Sequence, residues 1–348
     1  MKKIKSVFAV LSLMMLVMFS CNSESPVKPE DPIPADTIDL YTWRAVPFGY
    51  FNDIYVPDTS NIYICGVGEA IRWDGSSNPP KLINFNDNNF RPELVKGVDN
   101  SSIFIGGPYG MRDACVKRLQ NDVITETYYF DTANYVNCLF PISPDEIWIT
   151  FSRERIAHYK NGQINLLMLP VPNRYPKILR NRDGNIYVFS EQGGNGSTIP
   201  SYLNCYRIEN EQLTFVRRDS MSQYQPHGLA FRLFHIGGDI VMYDGSSILR
   251  KFSVNGWEYY TGYPGFDIWA LGGNRIDSMI ALTNGGGLYI QTWNGSRWKK
   301  ENYSQNAIGY ISIDLYFEPI SLAGNNVYVM LGDIQGSFLL IGRRKNIF

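Results

Sequence analysis

The sequence has little charge for its length and no run of one sign. Its 348 residues include 32 Lys and Arg against 33 Asp and Glu, 19% charged in all, for a formal net charge of -1. Without a basic block there is nothing to follow a phosphate backbone, so nucleic acid is not expected as a partner. Histidine is scarce as well. His158, His227 and His235 are the only three, and no two stand at ligand spacing, so no metal centre is expected. The five cysteines include no CxxC pair. Cys65, Cys115, Cys138 and Cys205 are irregularly spaced within apolar runs and read as buried thiols. The glycine run "NGGG" at 284–287 is followed by a strand pattern instead of a helix, which makes it a bend and not a phosphate loop. None of these patterns implies a cofactor. After the first twenty residues, no segment is apolar and long enough to cross a bilayer.

That first stretch, "MKKIKSVFAVLSLMMLVMFSC", places Lys2, Lys3 and Lys5 before an apolar stretch from Val7 to Phe19. A charged start and a short apolar middle are the marks of an export signal. Ser20-Cys21 resembles the end of a bacterial lipobox, in which the cysteine becomes the lipidated N-terminus; Met18 and Phe19 depart from the usual pattern. An ordinary signal peptide cut nearby, or an uncleaved anchor, are the alternatives. The next residues, "NSESPVKPEDPIPAD", are proline-rich and polar, a solvated tether. The expected organisation is a lipoprotein signal peptide over 1–20, a tether over 21–37 and a folded domain over 38–348.

Aromatics make up 14% of the chain, with Tyr at 23 and Gly at 31, a composition that suits many short strands joined by tight turns. A β-rich triplet recurs seven times: Ile62-Tyr63-Ile64, Ile103-Phe104-Ile105, Ile147-Trp148-Ile149, Ile186-Tyr187-Val188, Ile240-Val241-Met242, Met279-Ile280-Ala281 and Val327-Tyr328-Val329. The mean period is about 44 residues. A hairpin signal built mostly on Asn or Asp follows in the same register, at Asp74-Gly75, Asn121-Asp122, Asn161-Gly162, Asn210-Glu211, Asn255-Gly256, Asn294-Gly295 and Lys345-Asn346. Each unit therefore reads as four antiparallel strands, the size of a propeller blade. The fold class is all-β, a seven-bladed β-propeller. The last unit ends without room for an outer strand, and "IDLYTWRAV" at 38–46 occupies the place of one. It is expected to pair with Ser337–Arg343 and close the ring, which removes two exposed edges.

The third and sixth repeats, "DEIWITFSRERIAHYKNG" and "MIALTNGGGLYIQTWNGSRW", resemble the repeats of bacterial extracytoplasmic sensor-type β-propellers. The resemblance covers nearly all of the chain after the tether, and it implies a fold and not an activity. The Gly-His and Trp-Asp signatures of WD repeats are lacking, as are the Ser-x-Asp boxes of sialidases, so neither activity carries over.

One aromatic stands at each blade entrance: Tyr50, Phe90, Tyr135, Tyr175, Tyr224, Phe266 and Tyr310. In a propeller these connections share a face with the loops between second and third strands, at the mouth of the central channel. Two readings stand side by side. The rings line the mouth and stack on a ligand, or each wedges between neighbouring blades. On the first reading the contact residues are Tyr135, Tyr175, Tyr224, Phe266 and Tyr310, with Arg91, Arg174 and His227 giving polar contacts. The insertion "SEQGGNGSTIPSY" in the fourth blade is either a flap or an unconstrained loop. The function expected is a non-catalytic binding or scaffold module, lipid-anchored through Cys21 in the cell envelope of a Gram-negative-type bacterium, at its outer membrane, with a glycan or protein as ligand. The alternative is a carbohydrate-active enzyme in which Asp53 and Glu93 act as an acid/base pair.

Overall fold

The computed structural model describes residues 37–38, 40–48, 51–66, 68–131, 133, 135–151, 154–170, 174–192, 202–220, 232–243, 248–261, 267–284, 288–301, 320–333 and 336–345. The expected signal segment and most of the expected tether, Cys21 included, lie outside them. The described strands form seven sheets. Each contains four antiparallel strands, and the inner strands begin at Asp53, Leu94, Val136, Arg174, Arg232, Asp267 and Ile320. Residues 36–348 make one compact unit. The protein is a seven-bladed β-propeller.

Every apolar triplet falls in the second strand of its blade, and there the burial is nearly complete. Ile62, Ile64, Phe104, Ile105, Ile147, Ile149, Tyr187, Val188, Val241, Ala281 and Val329 are all 0% exposed. A strand that is covered on both faces needs apolar residues at consecutive positions, not at alternate ones, which is why the triplets are unbroken. Seven apolar clusters correspond to the seven seams between blades. Alternate residues of one strand serve different seams. Ile62 and Ile64 pack toward the last blade, whereas Tyr63 and Cys65 pack toward the second. Burying one such side chain contributes about 1.5–3 kcal/mol.

The hairpins between third and outer strands lie at the lower end, as do the turns between first and second strands. Three of the hairpins, Asn121-Asp122, Asn161-Gly162 and Asn210-Glu211, hold both central residues at positive φ, the turn whose twist matches that of the strands it joins. Lower hairpins also link neighbouring blades. Asp122 of the second blade takes a bond of 2.5 Å from Arg72 of the first. Glu211 of the fourth takes one of 2.8 Å from Asn165 of the third.

The ring closes as expected, with a refinement. Tyr41–Phe48 pairs antiparallel with Ser337–Arg344 as the outer strand of the last blade. Trp43 lies opposite Gly342, where a Cβ would come within 2.7 Å of the indole ring, so glycine makes room for it. The segment 38–46 is not one strand, however. Thr37 and Ile38 pair parallel with Lys300 and Glu301, adding a fifth strand to the sixth blade. The chain then turns at Leu40, whose amide donates to the buried Glu301 carboxylate at 3.2 Å and whose carbonyl accepts from Lys345 N at 2.8 Å. One short segment therefore fastens two blades.

Candidate functional site

The inner strands enclose a central cavity of about 320 Å³, a size that suits a small ligand or the end of a larger one. Its wall combines apolar surface, with Leu139, Phe140, Phe234 and Trp269, and a set of polar side chains that includes Asp53, Lys96, Lys177, Glu191 and Arg232. Several of these occupy one repeat position, the residue just before the inner-strand residue that pairs with the end of the triplet. Ile54 pairs with Ile64 and is preceded by Asp53. Leu139 pairs with Ile149 and is preceded by Cys138. The same position holds Lys177 in the fourth blade and Arg232 in the fifth.

From this position each side chain reaches into the next blade. The Asp53 carboxylate, 0% exposed, accepts from Val95 N at 2.9 Å and from Lys96 Nζ at 2.9 Å. Cys138 Sγ lies 3.9 Å from the Ile178 carbonyl oxygen as a weak donor. Lys177 Nζ donates to the Leu233 carbonyl at 2.7 Å, and Arg232 Nη1 to that of Ile268 at 2.5 Å. Thr150 adds a bond of 2.6 Å to the Pro176 carbonyl across the seam between the third and fourth blades. Burying a polar group at a wall is tolerable only when it is paired. Here much of that pairing crosses a seam.

The residues marked by the repeat pattern are placed unevenly. Phe90 is only 4% exposed and sits in the seam between the first two blades, edge-on to Phe85 and beneath the Lys117 ammonium. Tyr135 at the matching position is 54% exposed. Phe90 is thus wedged between blades, whereas Tyr135 is open to solvent. Arg91 is exposed and its amide donates to the Pro108 carbonyl at 3.1 Å. Arg174 and Tyr175 open the inner strand of the fourth blade, with Arg174 opposite Glu191 in register. Tyr50, Tyr224, His227, Phe266 and Tyr310 lie outside the described residues, as does most of the fourth-blade insertion. Asp53 and Glu93 stand on successive blades, and the Asp53 carboxylate is engaged by Lys96 and Val95. Lys96, Lys177, Arg232 and Trp269 were not singled out in the sequence. The signal for three of them is present all the same: a charged residue interrupting an apolar inner strand.

Burial sets the character of the thiols. It pushes Cys115 up to about 12 and Cys65 and Cys205 well above the ordinary thiol range. Cys138 is half-buried in the cavity wall. Among the described residues no group of three or more His, Cys, Asp or Glu could hold a metal ion, and no helix is long and apolar enough to cross a membrane.

Comparison with solved structures supports the architecture. The WD40 β-propeller domain of Doa1 is similar with a TM-score of 0.58 and 10% identity, covering 88% of this chain and 97% of that one. YCF48 bound to D1 peptide is similar at 0.60 and 13%, covering 89% and 100%. The extracellular domain of the putative one-component system BT4673 from B. thetaiotaomicron is similar at 0.57 and 15%, covering 87% of this chain and 40% of that one. The propeller fold is common to all of them. At these identities the likeness concerns the fold alone. No protein-family profile and no curated protein matches the chain.

Proposed function

We propose that the protein is a non-catalytic binding module, held in the cell envelope by a lipid on Cys21, that presents the upper mouth of its channel to a glycan or protein ligand. The observation that carries this reading is the use made of the wall polar groups. Asp53, Lys177 and Arg232 are bonded across the seams to backbone and to Lys96, an arrangement that makes the wall rigid and leaves the ligand to be recognised by shape and by contacts around the mouth. Two likenesses accord with it: one similar propeller was solved with a peptide bound, and another is an extracellular domain. The exposed Tyr135 ring and the exposed Arg91 offer contacts on the same face, of the kind that dominate binding energies elsewhere.

The test is a glycan array and a peptide library screened with the propeller, followed by titration of any hit against Tyr135→Ala and Arg91→Ala. Each substitution is expected to weaken binding about tenfold or more. Unchanged affinity in both would move the site off this face. Turnover of any polysaccharide, abolished by Glu93→Gln, would replace the binding reading with the enzymatic one.

A further inference from the structure

The connections between first and second strands, at the lower end of the ring, follow a rule that one blade breaks. Six of them carry an aspartate, Asp58, Asp99, Asp145, Asp183, Asp239 or Asp277, and that of the last blade reads Gly324-Asn325-Asn326 with none. Several of these acids take up a cation: Arg118 pairs with Asp145 at 3.0 Å, Arg182 with Asp239 at 2.8 Å and Arg275 with Asp277 at 2.7 Å. Arg343 and Arg344 end the third strand of the last blade, and both are exposed. Neither guanidinium has a hydrogen bond or an ion pair among the described residues. Arg343 lies opposite Thr42 and Asn326 in register and lines an open cleft of about 650 Å³ with them and with Thr59 of the first blade. Arg344 lies opposite Tyr41 and also borders a smaller pocket with Asn274 and Ser278 of the sixth blade. Successive residues of a strand point to opposite faces, so the two cations straddle the end of the blade. Asp58, beside Thr59, is turned to Ser60, Asn61 and Asn100.

We propose that the lower end of the last blade docks on the anionic headgroups of a membrane, with Arg343 and Arg344 as the cations that meet the phosphates. The proposal rests on the anchoring reading given above and adds an orientation to it. The course of the chain leads to this end of the molecule. Tyr41 and Thr42 are the register partners of the two arginines. Lys300–Glu301 runs upward from the Asn294-Gly295 hairpin, and Thr37–Ile38 lies parallel to it, so the chain enters the ring from below. Thr37 follows Cys21 by sixteen residues, a reach of at most about 55 Å. A bilayer held within that range acts as a high local concentration, and a weak attraction is then enough to choose which end of the propeller meets it. Guanidinium groups suit the task, because their planar fork matches two oxygens of one phosphate. Cations at an anionic surface are attracted within a Debye length of it, about 8–10 Å at physiological salt. With the lower end on the bilayer, the mouth that carries Arg91 and Tyr135 faces away from it and is open to a ligand.

The experiment is co-sedimentation with phosphatidylcholine vesicles made with and without phosphatidylglycerol. It uses the chain from Asn22 onward, which keeps every strand of the ring and carries neither the apolar leader nor a lipid. The expected result is at least tenfold tighter binding to the anionic vesicles, weakening as salt is raised. Arg343→Gln/Arg344→Gln should abolish that preference without moving the thermal midpoint, since neither side chain is bonded within the protein, and Arg343→Lys/Arg344→Lys should keep most of it. On anionic vesicles hydrogen exchange should slow around Asn325 and Arg344 and not around Tyr135. Equal binding to both kinds of vesicle, a preference that survives the glutamine variant, or protection at the upper mouth instead would overturn the proposal. Binding that appears only in Glu30→Gln/Asp31→Gln would overturn it too, because the arginines would then be occupied by the acidic tether. Acylation is read separately, from the mass of the Cys21 peptide in full chain recovered from membranes. If Cys21 carries a lipid and both vesicles bind alike, the docking surface fails and the anchor stands. If anionic vesicles are preferred and Cys21 is bare, the anchor fails and the docking surface stands.

Discussion

The seam between the first and second blades and the seam between the fourth and fifth use one repeat position in opposite ways. In the first, Asp53 is an acceptor and takes a backbone N–H and the Lys96 ammonium. In the second, Lys177 is a donor and takes a backbone carbonyl. Both work because an inner strand offers its neighbour donors and acceptors alike. The position therefore constrains polarity and length more than sign. What differs is the kind of partner: the first seam joins a carboxylate to an ammonium, and the second directs an ammonium to a backbone carbonyl.

The sharpest way to break this comparison is Asp53→Ala. It leaves Lys96 and Val95 N–H without the acceptor they share, and removal of one member of a buried pair typically costs about 3–5 kcal/mol. Chemical denaturation should show that loss, with Asp53→Asn falling between it and the unaltered protein because an amide oxygen still accepts from Val95. A loss below about 1 kcal/mol would mean that water replaces the carboxylate easily. Lys177→Met is expected to cost less, about 1 kcal/mol for the bond to the Leu233 carbonyl, with the aliphatic stem retained. A cost as large as that of Asp53→Ala would contradict the distinction between a fully buried carboxylate and a donor at the cavity wall.

Cys138, at the same position in the third blade, gives the smallest effect. Its thiol bond is long and weak, so Cys138→Ala should change stability mainly through lost packing, by less than about 1.5 kcal/mol. Its exposure to the cavity predicts that it is the first of the four propeller thiols to react with an alkylating reagent. Cys65, Cys115 and Cys205, buried and held protonated, should react only on unfolding. Those raised values also set a pH dependence. A thiol whose pKa is higher in the folded state contributes fully below its ordinary value of 9.0 and loses that contribution as pH rises, between 9.0 and about 12 for Cys115. The denaturation midpoint should therefore fall above pH 9, and Cys115→Ser should flatten part of that fall.

The architecture was legible because two markers kept one period. The triplets reported a strand buried on both sides, and the Asn and Asp turns reported hairpins, so blade number and strand order followed without any contact being known. The fifth strand of the sixth blade was not legible. Thr37 and Ile38 have no pattern of their own, and what places them is a long-range bond from Leu40 to Glu301. The aromatic position shows a different limit. Phe90 and Tyr135 align, yet one is buried and one exposed, because Phe85 in the connection between the first two blades and Lys117 of the second cover the Phe90 ring. Alignment of repeats identifies equivalent backbone; it does not identify equivalent neighbours. Lys177 and Arg232 illustrate the same point from the other side. Their importance appears only when the inner strands are brought edge to edge around the cavity.

The clasp has a consequence for how the molecule comes to exist. Trp43 and Gly342 are partners in one sheet, yet nearly the whole chain separates them. The strand Tyr41–Phe48 thus waits for Gly336–Arg344, and until that strand forms the last blade lacks the partner for its outer strand. Joining ends so far apart carries only a slowly growing entropic cost, but contacts of such long range make folding slow. The final, rate-limiting event in this protein is expected to be the meeting of its two ends.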